Sequence, residues 1–233
     1  PEGAPAWALD RGQLWNQVER ADSPINATLA REIQLSLPVE LDTTQQRELV
    51  RDWVQQQCVA RGMVADVALH DLASANPRAV VLLTTRVIEA EGFGRAAADW
   101  AHRDTLLGWR SSWAGAVNQA LVAAGSHARV DHRSLSARGI DLAPLPMRYH
   151  RLSHEIARSR NAQRCLTDVA VALEALFGAQ DVVYARELEL FVARYAMDAQ
   201  MREVMREGML GALRELPAEP GELRRYVRAE LRS

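Results

Sequence analysis

The chain has 233 residues, 48% of them hydrophobic and 25% charged, with a formal net charge of -2. That length holds one large domain or two small ones with a buried core, and the charge excludes a polycation. No run approaches eighteen apolar residues, so a membrane-spanning helix is not expected.

All 28 basic residues are Arg, and there is no Lys. The opening "PEGAPAWALD" has no basic segment followed by an apolar one, so it does not read as a signal peptide. It also lacks an initiator Met, and we expect an upstream piece to have been removed or never included. Cys58 and Cys165 lie far apart in helix-like contexts and are expected to be buried or half-buried thiols, not a disulfide. A cytoplasmic location follows by default.

In chain order, residues 7–22 place Leu14, Trp15 and Val18 at helical spacing. "SPINATLA" suggests a helical turn, and "REIQLSLP" a strand that stops at Pro38. "DTTQQRELVRDWVQQQCVARG" predicts a helix capped by Asp42 or Thr43, with Gln46 placed for a capping box and Gly62 as the stop. "MVADVALHD" alternates like a strand, and "RAVVLLTTRVI" is a nearly continuous β-branched run. The polar turn "LASANP" between them predicts an antiparallel pair. "EGFGR" reads as a loop. The long helix that follows repeats Leu106, Trp109, Trp113, Val117 and Leu121 at three- and four-residue steps, so its Trp residues are expected in the core. "ARVDHRSLSARGIDLAPLPM" is loop-rich with one turn at "RSLSARG". From about residue 150 onward every segment, "ELRRYVRAEL" included, reads as helix. The predicted fold class is α+β: an antiparallel-sheet domain over residues 1–148, then an all-helical region over 149–233.

Three stretches carry candidate chemistry. The first is "HDLASANPRAVVLLTTR", residues 70–86. A strand projects residues i and i+2 from one face, so residues 78 and 80 of the second strand should meet His70 of the first. Those residues are Arg78 and Val80. Val has no donor atom and Arg has no lone pair to give. A single imidazole is too few to hold a divalent ion tightly. Asp66 and Asp71 are the nearby carboxylates that could add oxygen ligands. Arg78 would instead set a fixed positive charge there, suited to holding a phosphate; the alternative is a solvated turn Arg.

The second stretch runs from residue 129 to 164, where eight Arg against three acids leave a local charge of about +5. Either it contacts a polyanion or it forms salt bridges with the acidic C-terminal helices. The third is Tyr149, a candidate nucleophile after a proline-rich stretch. There is no GxxxxGK[ST] loop, and no Ser-His-Asp or Cys-His arrangement follows from spacing.

The segments "PEGAPAWALDRGQLWNQVE", "LAREIQLSLPVEL", "QRELVRDWVQQQCVARGMVADVALHD", "NPRAVVLLTTR", "GFG" and "ARVDHRSLSARGID" resemble, in order and spacing over roughly residues 1–145, the MobA/MobL family of conjugative relaxases, especially TraA-type proteins. The helical tail more weakly resembles the region that precedes the helicase in such chains. The resemblance implies a two-His, sheet-centred nuclease fold. It also implies a Tyr that attacks a DNA phosphodiester at the origin of transfer, and a metal (Mg or Mn) held by three His that polarises the phosphate.

Carried over, His70 matches the first ligand, while Arg78 and Val80 stand where "NPHAH" would have two His. The family's Tyr lies upstream of "PEGAPAW". The expectation is therefore a vestigial metal site at His70, no catalytic residue and no cofactor in this chain. Single-stranded DNA is the expected partner, contacted by Arg78, Arg86, Arg129, His132, Arg133 and Arg138. Without the upstream strand a sheet edge should be open, which predicts a missing companion segment, an oligomer or marginal stability. Two other readings stand beside it: an active nicking enzyme completed by an upstream segment, and a helical interaction module or remnant.

Overall fold

The computed structural model describes residues 1–21, 28–74, 76–146, 151–217 and 223–229. They fall into two compact units, Pro1–Ser126 and His127–Ser233. Of the helical turn expected over 23–30, residues 23–27 lie outside the described residues, and Ala30 already begins a strand.

The first unit is built on a three-stranded antiparallel sheet of β1 (Ala30–Ser36), β2 (Ala65–His70) and β3 (Arg78–Thr84), in the order β1-β3-β2. The expected strand–turn–strand is present, with His70 paired to Arg78 and Ala65 to Leu83. β3 sits in the centre, as its β-branched run predicts. Its Ala79, Val81 and Leu83 are buried together with Leu35 of β1. Helix α2 (Thr43–Gln57) supplies Val50, Trp53 and Val54 to this core, and α3 (Arg103–Ala123) supplies Trp109, so both helices pack on the same face of the sheet. Trp53 meets Trp113 edge-on at 5.4 Å between ring centroids, and its Nε1 donates to Ser112 Oγ. The Trp residues of α3 thus lie in or against the core, as their spacing predicts.

Local chemistry sets the ends of α2. The Asp42 carboxylate accepts from the Thr44 and Gln45 amides, and Gln45 Oε1 accepts from the Asp42 amide, a capping box one residue earlier than expected. Gln46 is instead buried, donating to the Pro38 and Leu41 carbonyls. After a short 3-10 turn, Gly62 takes φ 93° and stops the helix. A Cβ there would stand 2.7 Å from Val87 Cγ1.

Two elements depart from the sequence reading. The run after Thr84 does not continue one strand: β4 (Arg86–Glu89) turns away and pairs with β5 (Gly92–Ala96), the segment expected to be a loop. Thr84 Oγ1 pins the bend, accepting from the Val64 amide and donating to the Arg86 carbonyl. Gly92 at φ 130° permits the hairpin turn. Its Phe93 lies against Trp7, and helix α1 (Arg11–Ala21) packs Leu14 with Val64 and Ile88. In α3 the buried stripe begins at Trp109; Leu106, expected inside, is 51% exposed.

In the second unit, α4 (Arg151–Thr167), α5 (Val169–Phe177), α6 (Ala185–Tyr195) and α7 (Ala199–Gly211) surround Ala162, Cys165, Phe177, Leu188, Val192 and Met209. The unit is not purely helical. β6 (Val183–Tyr184), β7 (Leu213–Glu215) and β8 (Arg225–Arg228) form a small sheet in the order β6-β8-β7. The segment around β8, expected as helix, is drawn into strand geometry because Tyr226 alternates inward and is buried. The change from loops to helices near residue 150 is not where the compact units divide. Ile140 and Leu142 belong to the helical core, and Asn161 ties the incoming chain by accepting from the Ala143 amide and donating to its carbonyl, both at 2.8 Å.

Candidate nucleic-acid interface

Strand register decides which side chains share the face of the sheet away from α2 and α3. Ala79, Val81 and Leu83 point into the core, so Arg78, Val80 and Leu82 point the other way. Their neighbours on β2 are His70, Ala68 and Asp66, and on β1 Ser36, Gln34 and Glu32. The positions expected to converge, 70, 78 and 80, therefore lie on one face of two paired strands, at one end of the sheet. His70 is exposed, and Arg78 and Val80 are half-buried.

The face also carries Glu32, which accepts from Gln34 Nε2; the two carboxylates expected near His70 are Asp66 and Asp71. Asp71, held at φ 56°, accepts from Arg78 Nη1 at 2.7 Å. Asp66 accepts from Trp15 Nε1 at 3.0 Å and lies 2.6 Å from Arg11 Nε. Each carboxylate is thus committed to an Arg, and neither is left over to join His70. Among the described residues no group of three His, Cys, Asp or Glu is placed to hold a metal. The donor set does not fit a divalent ion: one imidazole, one alkyl group and one guanidinium already paired to the nearest acid.

The expected DNA contacts divide between the units. Arg78 and Arg86 belong to the first; Arg129, His132, Arg133 and Arg138 belong to the second. Arg86 Nη1 donates to the Gly94 carbonyl at 2.9 Å and braces the β4–β5 hairpin. In the second unit the cluster is organised around Asp131. Arg133 holds it through Nε and Nη2, the latter at 2.7 Å. Arg138 Nε stands 3.7 Å away and His132 Nδ1 3.9 Å away. Arg133, chiefly through its hydrogen bonds, and Arg138 lower the Asp131 pKa to about 2.

Much of the remaining positive run is also engaged. Arg151 pairs with Glu155, Arg164 with Asp141 and Asp168, and Arg158 donates to the Ala193 and Ala196 carbonyls at the end of α6. Most of these described Arg side chains are paired internally, but their acids, Asp131, Asp141, Glu155 and Asp168, lie within or next to the run and not in the acidic C-terminal helices that one reading named. Arg158 as a helix-end donor was not legible from sequence, because its acceptors are backbone carbonyls 35 and 38 residues away. Tyr149 and Arg148 lie outside the described residues.

Residues 1–148 match the model of the MobA/MobL family. The chain belongs to the MobA/MobL family. It is 34% identical over 152 residues to the "Probable conjugal transfer protein TraA" of Sinorhizobium fredii, a match covering 56% of this chain and 14% of that protein. To the "Conjugal transfer protein TraA" of Agrobacterium fabrum it is 28% identical over 226 residues, 79% of this chain and 20% of that one. The chain thus spans a fifth or less of the length of these two relatives. A solved structure described as the molecular basis of vancomycin resistance transfer in Staphylococcus aureus superposes with a TM-score of 0.54 at 29% identity, covering 57% of this chain and 72% of that one. The α+β fold with an antiparallel sheet agrees with this MobA/MobL membership. No helix among the described residues is long and apolar enough to cross a membrane.

Proposed function

We propose that this chain is the relaxase-like part of a protein of conjugative transfer or plasmid mobilisation, working in the cytoplasm. It binds single-stranded DNA at the origin of transfer and does not nick it alone. One observation carries this reading: the register that sets His70, Arg78 and Val80 side by side on the outward sheet face. Arg78 offers a phosphate a fixed charge and two-pronged hydrogen bonding. Val80 and Leu82 beside it offer half-buried apolar surface to a base. No step runs through a metal, because the donor set does not fit one. In this proposal residues 1–148 form the DNA-binding part. Residues 149–233 resemble the helical region before a TraA-type helicase.

The alternative, an active nicking enzyme with a metal on His70 plus Asp66 and Asp71, is disfavoured by the Arg partners of both carboxylates. A labelled single strand titrated with the chain, with and without EDTA and at several salt concentrations, separates the readings. We expect binding that weakens with salt, ignores EDTA and leaves no covalent adduct. Absent or salt-insensitive binding refutes the DNA reading, and a manganese-dependent adduct refutes the claim of no nicking.

A further inference from the structure

The sheet of the first unit has two edges, and they differ. β1 presents Glu32, Gln34 and Ser36, all exposed and polar. β2 is bordered on its core side by a groove of about 600 Å³ along α2, lined by Val50, Val54, Val59, Ala65, Val67 and Leu69. Val67 is 39% exposed. No strand among the described residues pairs with the outer side of β2. An unpaired strand edge beside an apolar groove is a template for another chain.

The charges along the groove indicate which chain. Its α2 rim carries Thr44, Arg47, Glu48, Arg51 and Gln55, with Asp52 adjoining. Arg47 and Glu48 have no ion-pair partner among the described residues, and Arg51 is paired only with the neighbouring Asp52. Laid antiparallel to itself, this helix sets Glu48 against Arg51, Arg47 against Asp52 and Thr44 against Gln55 of the second copy. Strand β2 is self-complementary in the same sense. Antiparallel to itself, it puts Asp66 opposite His70 on the outward face and Val67 opposite Leu69 on the groove face, with Ala68 opposite its own copy. A two-fold axis runs both elements antiparallel, the symmetry of most homodimers.

We propose that the β2 edge and the groove beside it are the interface for a second copy of this chain, joining two three-stranded sheets into one six-stranded sheet. This inference is independent of DNA binding.

Sedimentation of the full chain over a range of concentrations tests it. We expect a reversible monomer–dimer equilibrium. Val67→Arg, which sets a charge on the apolar edge, should shift it toward monomer. Glu48→Arg and Arg51→Glu should each weaken association by about tenfold or more, because like charges then face each other. The double variant Glu48→Arg/Arg51→Glu should restore it. A lost fold cannot mimic that rescue. A chain that stays monomeric throughout, or a dimer indifferent to Val67→Arg and to both charge reversals, overturns the proposal.

Discussion

His70 and Arg78 face each other across the β2–β3 pair, and the Arg78 guanidinium turns to Asp71 at 2.7 Å. The pair places a permanent cation beside an imidazole. It also occupies the nearest carboxylate, so Asp71 is not free to join His70 in holding a cation.

Replacing Arg78 by Ala should separate binding from stability. The Arg78–Asp71 pair is roughly half exposed, and exposed pairs contribute about 0–1 kcal/mol. Thermal unfolding should therefore barely move. If Arg78 contacts a phosphate, affinity for a single strand should fall, and the slope of log affinity against log salt should shrink by about 0.7. An unchanged slope would remove Arg78 from the interface.

The core of the first unit offers a contrast within one sheet-and-helix layer. Leu83 is 1% exposed at the centre of the sheet, and Leu83→Ala should cost about 2–5 kcal/mol of unfolding free energy. Leu106→Ala, at a site half open to solvent, should stay within about 0.5 kcal/mol. Chemical denaturation of the two variants checks both values.

Acid should weaken the second unit through Asp131. Its folded pKa is about 2 against an ordinary 3.8. The unfolded chain therefore takes up the proton first as pH falls. The stabilisation from Arg133 and Arg138 is fully present above about pH 4 and is lost between there and about 2. Stability measured against pH should drop in that window in the wild type, and the drop should be smaller in Asp131→Asn.

Both cysteines are free and buried, and burial pushes each thiol up to about 11. Thiolate is the reactive form. A thiol reagent at neutral pH should label neither residue quickly in the native chain and both once it is unfolded. Rapid labelling of one would place that Cys at the surface.

What could be read from sequence follows from how local each signal is. Alternation in "MVADVALHD", the turn at Asn76-Pro77 and the β-branched run after it specify a register by themselves, so the shared face of residues 70, 78 and 80 was legible. Asp42 as a cap was legible for the same reason. The β4–β5 hairpin was not, because Gly92 and Gly94 carry no strand preference and the hairpin is held by Trp7 against Phe93 and by Arg86 on the Gly94 carbonyl. β6 and β8 pair over two residues, and such strands exist only because distant segments meet. The positive run from Arg129 to Arg164 was visible as charge, and its partners Asp131, Glu155 and Asp168 are within four residues; the bonds of Arg164 to Asp141 and of Arg158 to the Ala193 and Ala196 carbonyls are set by folding.

The most direct test of the account is a calorimetric titration of manganese into the wild type and into Arg78→His/Val80→His. The strand register already sets positions 70, 78 and 80 on one face, so restoring two imidazoles should build a three-His site. The double variant should bind the ion at least about tenfold, or about 1.4 kcal/mol, more tightly than the wild type. Tight binding by the wild type, with His70 required for it, would contradict the account.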